Sequence, residues 1–441
     1  MRMLGKRSLA ATLKLMVDIA YYLVLFFGVV IVLVVAGVGL FTDWRLTTDV
    51  PVRFELDRQA YSITSPDFGG ENAEIVNAKG RLRMPSRHLG TLLEQMAMIA
   101  AALGITLLII RRLSAILGSL KAGTPFVRAN VSRIRSMGFL IIGLELLGSA
   151  MAVYWALRIT PRVSAANLHF QADPELSGLT IMTGLILIVL AEVFRIGAEM
   201  KGDLEAARTI QFQLVPPPSF LQNKIQIHCH MQPANTVGGD YYDIIPLGDG
   251  RVGIVVADVS GKGMPAALLE TMLQGSLRTL ISAGFRGETL LDKMNQYLVA
   301  NTPENKMITL FFGDLNTATG DLSYISAGHN PAMIIKADAT VQMLESNSLV
   351  LGLLPDAVFV TDHTRLDAGD RLLIYTDGIV EASNKQGEEF GEDRLRDLAV
   401  SRSELSAPKF QEELYASVLA YCQPDGPADD MTLMVVDRPV L

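Results

Sequence analysis

Long apolar runs separated by short polar stretches fill the first 195 positions, whereas the later part of the chain shows short, alternating apolar patterns. Each long run is near or above the ~20 residues that a helix needs to cross a bilayer. A cleaved signal peptide is an alternative for the first run, but that run is too long and lacks an obvious small-residue cleavage site. We therefore predict a four-span membrane domain at 1–195, with spans at about residues 15–41, 92–110, 137–157 and 179–195.

The distribution of Lys and Arg predicts how these spans are oriented. The N-terminal arm carries four basic residues before the first span, and the loop between the second and third spans carries six basic residues and no acidic one. The loop at 42–91 mixes basic and acidic residues in equal numbers. Because basic loops tend to stay in the cytoplasm, we expect both termini inside and the 42–91 loop outside.

Glu145 in the third predicted span and Glu192 in the fourth are unusual residues for a membrane helix. An ionisable residue inside a membrane is costly, so a role toward a ligand or ion is the default hypothesis. For Glu192 we favour simple pairing with Arg195, three residues further along the helix. For Glu145 both interpretations stay open.

The segment 196–215 is predicted to continue the fourth span as a helical connector. Apolar residues recur at steps of three or four, which is typical of one helix face, and prolines at 216–218 end it. Such a face favours a homodimer formed by two connector helices; the alternative is a helix lying on its own domain. The apolar positions are Ile196, Met200, Leu204, Ala207, Ile210 and Leu214.

Strand-like runs punctuated by turn signals dominate residues 216–441, with helical patterns at 265–282, 288–301, 392–399 and 407–421. This arrangement predicts an α+β domain in which two stacked antiparallel sheets form a β-sandwich flanked by helices. The formal net charge of −8 and the lack of a basic patch argue against nucleic-acid binding. The two cysteines lie far apart and offer neither a disulfide framework nor a zinc site.

Carboxylates stand at the predicted ends of several separate strands. Asp240 follows "VGG", Asp258 ends "VGIVVAD", Asp377 ends "RLLIYTD", and Asp429 and Asp430 precede "MTLMVV". Turn aspartates are common at strand ends, and that is the simpler explanation for any one of them. Carboxylates that converge would repel one another, and a hard divalent cation such as Mg²⁺ or Mn²⁺ resolves this repulsion.

The motifs that carry these acids also resemble a known family. "VGGDYYDI", "ADVSGKGMPAAL", "YISAGHNPAMI", "YTDGIVEASN", "EEFGEDRL" and "DDMT" occur in the order found in bacterial sporulation and stress-response serine/threonine phosphatases, a branch of the PPM (PP2C-like) superfamily. The resemblance runs from about Leu204 to Asp437. The stretch "LKAGTPFVRANVSRIRSMGFLIIG" resembles a bacterial four-helix membrane family of undefined function, which supports four spans only.

The phosphatase resemblance implies a site for two Mn²⁺ or Mg²⁺ ions. By this resemblance, metal ligands are expected at Asp240, Asp258, Asp377, the backbone carbonyl of Val259, and Asp429, with Asp430 as the alternative to Asp429. Asp240, Asp258 and Asp377 are also the expected catalytic residues, because bound cations activate water and clamp the phosphoryl oxygens without a protein nucleophile.

Several neighbouring residues are given other roles. Eukaryotic relatives follow the aspartate with "GHGG", whereas this chain has "SGKG", so no equivalent of that histidine is present. Lys262 is expected to be an exposed turn residue, with substrate contact as the alternative. His329 is expected to make structural hydrogen bonds, and Asp243 to support the metal ligands rather than to bind metal.

These features predict a multi-pass protein of the bacterial cytoplasmic membrane whose phosphatase domain lies in the cytoplasm. Its expected substrate is a phosphoprotein, such as an anti-sigma-factor antagonist, and the membrane domain is expected to control it through the connector and the helices at 265–282 and 288–301. One alternative is a catalytically silent receptor whose phosphatase fold binds a signalling partner. A transporter with a regulatory tail is disfavoured, because no pair of broken helices is evident.

Overall fold

The computed structural model describes residues 9–41, 46–56, 78–86, 89–159, 168–173, 176–303, 305–423 and 426–440. The chain divides into two compact units, Met1–Lys201 and Gly202–Leu441. This division falls inside the connector predicted at 196–215.

Among the described residues, four helices are long and apolar enough to cross a membrane. They are α1 Leu9–Phe41, α2 Leu89–Lys121, α3 Arg128–Ile159 and α4 Gly178–Leu214. Each helix is longer than the apolar run that predicts it, because polar residues at the ends of a run can continue the helical hydrogen bonding. The fourth helix continues through the predicted connector and ends just before the prolines at 216–218.

The predicted outer loops contain strands rather than loop structure alone. Strands β1 Leu46–Leu56 and β2 Ala78–Ser86 lie between α1 and α2, and β3 Leu168–Ala172 lies between α3 and α4. They form one antiparallel sheet in the order β2-β1-β3. Both connections therefore meet at the same end of the helices. The residues 57–77, which belong to the predicted 42–91 loop, lie outside the described residues.

Three carboxylates of these helices have partners that the structure defines. Glu192 contacts Arg195 at 2.7 Å and Arg135 at 3.5 Å, which agrees with the pairing favoured from the sequence. Glu145 accepts a hydrogen bond from the backbone N–H of Ser177 at 2.6 Å, directly before α4 begins. Sequence reasoning overlooked Asp18 in α1, which binds Lys14 and the hydroxyl of Ser114 in α2.

The second unit contains two antiparallel sheets. Its strands are β4 Ser219–Gln222, β5 Ile225–Gln232, β6 Tyr241–Gly248, β7 Arg251–Val259, β8 Ile308–Asn316, β9 Asp321–Ala327, β10 Ala332–Ile335, β11 Val341–Leu344, β12 Asp362–Arg365, β13 Arg371–Tyr375 and β14 Met431–Asp437. The six-stranded sheet has the order β11-β10-β13-β14-β5-β4, and the five-stranded sheet has the order β12-β9-β8-β7-β6.

Helices cover the outer faces of both sheets. One apolar core lies between the sheets. A second joins the five-stranded sheet to α5 Met264–Ser282 and α6 Gly287–Asn301, and a third joins the six-stranded sheet to α8 Glu392–Ser401 and α9 Ala407–Tyr421. The short helix α7 Asp377–Val380 directly follows β13. The predicted α+β sandwich flanked by helices is therefore confirmed.

Candidate active site

The predicted acids lie close together, where strand ends of one sheet contact strand ends of the other. Asp240 directly precedes β6 and Asp258 is the last residue but one of β7, and Tyr241 pairs with Ala257 across these strands. In the other sheet, Tyr375 pairs with Leu433, so Asp377 after β13 and Asp429–Asp430 before β14 share one end. Hydrogen bonds from both Thr376 and Thr432 to Asp240 show that these two ends are in contact.

Asp240 is buried where the two sheets meet. Its Oδ2 accepts hydrogen bonds from the hydroxyls of Thr376 at 2.8 Å and Thr432 at 2.6 Å. Its Oδ1 is buried and has no hydrogen-bond partner among the described residues. Burial and then the charge of Asp258 raise the pKa of Asp240 well above its ordinary value, although the threonine hydroxyls oppose this.

The neighbouring acids show the same electrostatic conflict. Burial, followed by the charges of Asp377, Asp429 and Asp430, raises the pKa of Asp258 to about 7. Burial, followed by the charges of Glu381 and Asp429, raises the pKa of Asp377 to about 6. A positive charge placed among these carboxylates would therefore favour their ionised forms.

Glycines allow the loops that carry the acids to approach closely. A Cβ on Gly239 would lie 2.8 Å from the carbonyl oxygen of Val259, and a Cβ on Gly378 would lie 2.0 Å from the backbone oxygen of Asp430. Both distances are shorter than real Cβ contacts allow. The backbone carbonyl of Val259 is thus held beside the loop that delivers Asp240.

The two adjacent aspartates before β14 have different surroundings. Asp430 accepts backbone N–H bonds at 2.7 Å on both oxygens, from Ala234 to Oδ1 and from Gly239 to Oδ2. The side chain of Asp429 is 31% exposed, and its Oδ2 lies 2.8 Å from Nζ of Lys262. Asp430 therefore positions the glycine loop, while Asp429 faces the accessible side of the cluster.

The donor set fits hard divalent cations. It offers carboxylate and backbone oxygens with no imidazole or thiolate, which suits Mg²⁺ or Mn²⁺. The buried Oδ1 of Asp240 lacks a hydrogen-bond partner among the described residues, and a cation would supply one. Within the described ranges, no three acidic, histidine or cysteine side chains already stand as a complete ligand set. Protein hydrogen bonds and Lys262 hold the acids instead.

Comparison with known proteins decides the family. Residues 248–439 match the family Stage II sporulation protein E (SpoIIE). The phosphoserine phosphatase RsbU of Bacillus subtilis is 30% identical over 243 residues, covering 55% of this chain and 72% of RsbU. The chain belongs to the SpoIIE family of serine/threonine phosphatases. Its carboxy-terminal unit is accordingly a protein phosphatase domain of the SpoIIE type.

Two further comparisons show how much of the chain is similar to known proteins. Protein IcfG of Synechocystis is 28% identical over 263 residues, which cover 54% of this chain and only 41% of IcfG. The solved SiaA-PP2C domain of Pseudomonas aeruginosa is 19% identical, with a TM-score of 0.50, and covers 54% of this chain and 97% of that domain. This structural likeness shows that the SpoIIE-type domain has the PP2C fold.

Asp243 plays a different part from the one expected. Its carboxylate is fully buried and receives hydrogen bonds of 2.7 Å each from Nε and Nη2 of Arg278 on α5, together with one from the hydroxyl of Tyr241. These bonds tie strand β6 to α5 and make no contact with Asp240. Asp243 therefore anchors the helix that begins after the Asp258 turn, rather than supporting the ligands directly.

His329 fits the structural role expected for it. The residue is buried, and its Nδ1 lies 3.0 Å from the hydroxyl of Thr309, which pairs with Asp258 across β7 and β8. Burial lowers the pKa of His329 to about 4. The imidazole is consequently neutral near pH 7 and holds no proton that it could donate as an imidazolium.

Sequence reasoning missed a polar bridge between the end of α4 and the site. Gln211 is buried; its Nε2 donates to the carbonyl of Gly238 at 2.8 Å and to Glu270 of α5 at 3.1 Å. Burial raises the pKa of Glu270 to about 7. The sequence carried a signal for this bridge, because Glu270 and Gln274 are polar residues on the otherwise apolar buried face of α5. In the structure, Gln274 also donates a hydrogen bond to the carbonyl of Leu214.

The different surroundings of Asp429 and Asp430 predict that the same substitution affects stability at one position and not at the other. Asp430→Asn loses one of two buried backbone acceptors, so we expect the free energy of unfolding to fall by about 1–3 kcal/mol. Asp429→Asn removes only a half-exposed ion pair, so we expect a change within about 0.5 kcal/mol and weaker Mn²⁺ binding. Unfolding of the full chain in detergent, followed by circular dichroism, measures both. Equal destabilisation by the two variants would contradict the assignment.

Proposed function

We propose that this protein is a membrane-anchored phosphatase, dependent on Mn²⁺ or Mg²⁺, that removes phosphate from serine or threonine of a cytoplasmic regulatory protein. The observation that carries the proposal is the meeting of Asp240, Asp258, Asp377 and Asp429 at one end of the sandwich. The carboxyl pKa values of Asp240, Asp258 and Asp377 are raised there, and Lys262 is the one neutralising cation among the described residues. The four long apolar helices support the membrane anchoring.

Two cations would be held by these four aspartates and by the backbone carbonyl of Val259. When bound, such cations lower the pKa of a water and neutralise charge on the phosphoryl oxygens. The protein supplies orientation: the hydroxyls of Thr376 and Thr432 fix Asp240, and the backbone N–H groups of Ala234 and Gly239 hold Asp430 beside it.

A covalent cysteine mechanism is disfavoured by the surroundings of both thiols. Cys229 and Cys422 are buried, and burial raises the pKa of each thiol above its ordinary value. A nucleophilic cysteine needs the opposite, namely a lowered pKa and access to the substrate. This supports attack by water rather than by a side chain.

The substrate class follows from the site and from the relatives. The half-exposed Asp429 and Lys262 make one side of the cluster reachable by a phosphate carried on another protein, and RsbU is named a phosphoserine phosphatase. We infer a phosphoserine- or phosphothreonine-bearing regulator such as an anti-sigma-factor antagonist. A catalytically silent receptor is the second candidate, but every acid position of the expected ligand set is filled, which favours the enzyme.

Hydrolysis of a phosphoserine peptide by the full chain in detergent tests the catalytic part of this proposal. We expect activity that requires Mn²⁺ or Mg²⁺, and a loss of at least about a hundredfold in Asp258→Asn, because a central ligand and its charge are removed. Asp249→Asn is the matched control: Asp249 lies in the β6–β7 turn with a φ of 50° that Asn tolerates. Similar activity in both variants would refute the assigned site.

The bridge at Gln211 supports control of the site by the connector. Gln211 lies on α4, the helix that contains the fourth predicted span, and it holds both the Gly238 loop next to Asp240 and α5, which follows the Asp258 turn. A displacement of this helix end would therefore change the spacing between two metal-ligating loops. We propose that the membrane domain regulates the phosphatase in this way.

Replacement of Gln211 by Ala tests the control by the connector. Because the variant loses buried hydrogen bonds to the Gly238 loop and to Glu270 of α5, we expect the Mn²⁺ concentration for half-maximal activity of the full chain to rise by about fivefold or more. Gln213→Ala, at an exposed position on the same helix, is the control and should match the parent chain. An unchanged Mn²⁺ requirement in Gln211→Ala would count against the coupling.

Both interpretations of the connector find support at different faces of α4. Gln211 faces its own domain, as the alternative interpretation expected, whereas Ile210 is 60% exposed and Leu214 is 42% exposed. Large apolar side chains on one exposed helix face favour pairing with a second copy. We therefore propose a homodimer that uses this exposed face.

Light scattering of the full chain in detergent tests the dimer. We expect the parent protein to be dimeric and Ile210→Glu to shift it toward monomer, because a charge would enter the apolar seam. Thr209→Glu changes the neighbouring exposed residue off the seam and should leave the dimer intact. A monomeric parent, or a dimer that Ile210→Glu does not affect, would rule out this interface.

A further inference from the structure

Lys262 extends into the acid cluster instead of into solvent. Its Nζ lies 2.8 Å from Oδ2 of Asp429 and donates to the backbone carbonyl of Ala428, also at 2.8 Å. Sequence reasoning expected an exposed turn residue or a substrate contact here. Among the described residues, Lys262 is the one cationic side chain that forms an ion pair with an acid of the cluster, namely Asp429. In the same part of the chain, no Lys or Arg forms an ion pair with Asp240, Asp258, Asp377 or Asp430.

Both carboxylate oxygens of Asp429 have partners within the protein. Oδ1 of Asp429 accepts a hydrogen bond from the backbone N–H of Asp430 at 2.9 Å, and Lys262 takes Oδ2. A divalent cation that binds Asp429 through Oδ2 needs the same lone pairs and the same negative charge. The ammonium group and the cation therefore compete for one oxygen.

The backbone of the turn is fixed while the lysine side chain is free to leave. Gly261 and Gly263 flank Lys262 with φ values of 104° and 71°, which favour glycine. The backbone N–H of Ser260 on this turn donates to the carbonyl of Met307, and the Ser260 hydroxyl oxygen accepts from the N–H of Met307. The Ser260 carbonyl accepts a hydrogen bond from Nζ of Lys306. The Lys262 side chain is 48% exposed, so rotation into solvent requires no rearrangement of the turn.

We propose that Lys262 is a built-in counter-cation of the metal site, which occupies Asp429 in the metal-free protein and must be displaced when a divalent cation binds there. The ammonium group reduces the repulsion among the acids and so keeps the metal-free site folded. It also weakens the affinity for the cation at the Asp429 side. This inference rests on the proposed function, since it presumes that Asp429 binds metal.

Direct binding of Mn²⁺ to the full chain in detergent, measured from the electron paramagnetic resonance signal of free Mn²⁺, tests the proposal without using activity. In Lys262→Met the competitor is gone, so we expect at least one site to bind Mn²⁺ about fivefold more tightly, as an ion pair of this exposure would give. Lys262→Arg keeps the charge and should bind close to the parent chain. Lys409→Met, at an exposed position on α9, controls for the loss of one positive charge.

The outcomes separate this inference from the proposed function. Tighter binding in Lys262→Met alone supports the counter-cation role, provided that circular dichroism shows an unchanged fold. Equal or weaker binding in Lys262→Met overturns it, while Mn²⁺ binding that Asp258→Asn abolishes would leave the metal site itself standing. If the parent chain and Asp258→Asn bind Mn²⁺ alike, the metal site is wrong and the counter-cation role falls with it.

Discussion

Repulsion among carboxylates at the meeting edges of two sheets is the constraint on which the site depends. Burial removes the water that would screen these charges, so each acid raises the pKa of its neighbours. Left alone, such a cluster would favour protonated acids or separated strands. The fold offsets the repulsion with hydrogen bonds from threonine hydroxyls and backbone amides, with Lys262, and by our proposal with divalent cations.

The sandwich keeps the acids together because hydrogen bonds join the strand ends of one sheet to those of the other. Thr376 and Thr432 come from the six-stranded sheet and bind Asp240, which opens a strand of the five-stranded sheet. Asp430 binds the backbone N–H of Gly239 across the same junction. A shift of one sheet against the other would break these bonds, so packing of the two sheets and geometry of the site are one property.

Buried polar residues extend this coupling to the outer helix α5. Asp243 holds Arg278, and Glu270 meets Gln211 at the end of α4, although both acids lie against an otherwise apolar core. Buried polar groups are costly unless they are paired, so these pairs define one particular docking of the helix. The same pairing makes the helix end a suitable point from which the connector could act on the metal-ligating loops.

Local patterns along the chain were enough to predict the sheet and helix layers, the four apolar helices and the identity of the clustered acids. Apolar periodicity and glycine-rich turns are local signals, and Asp240, Asp258 and Asp377 stand beside such turns in motifs that can be read along the chain. What each acid contacts could not be read in this way. The adjacent Asp429 and Asp430 look alike in sequence, yet one faces Lys262 and the other faces two backbone amides. Gln211 binds Gly238, Asp243 binds Arg278 and Lys262 binds Asp429, and these partners lie 27, 35 and 167 residues away in the chain. Only tertiary packing decides such long-range contacts, because they depend on how whole sheets and helices are placed and not on the pattern of neighbouring residues.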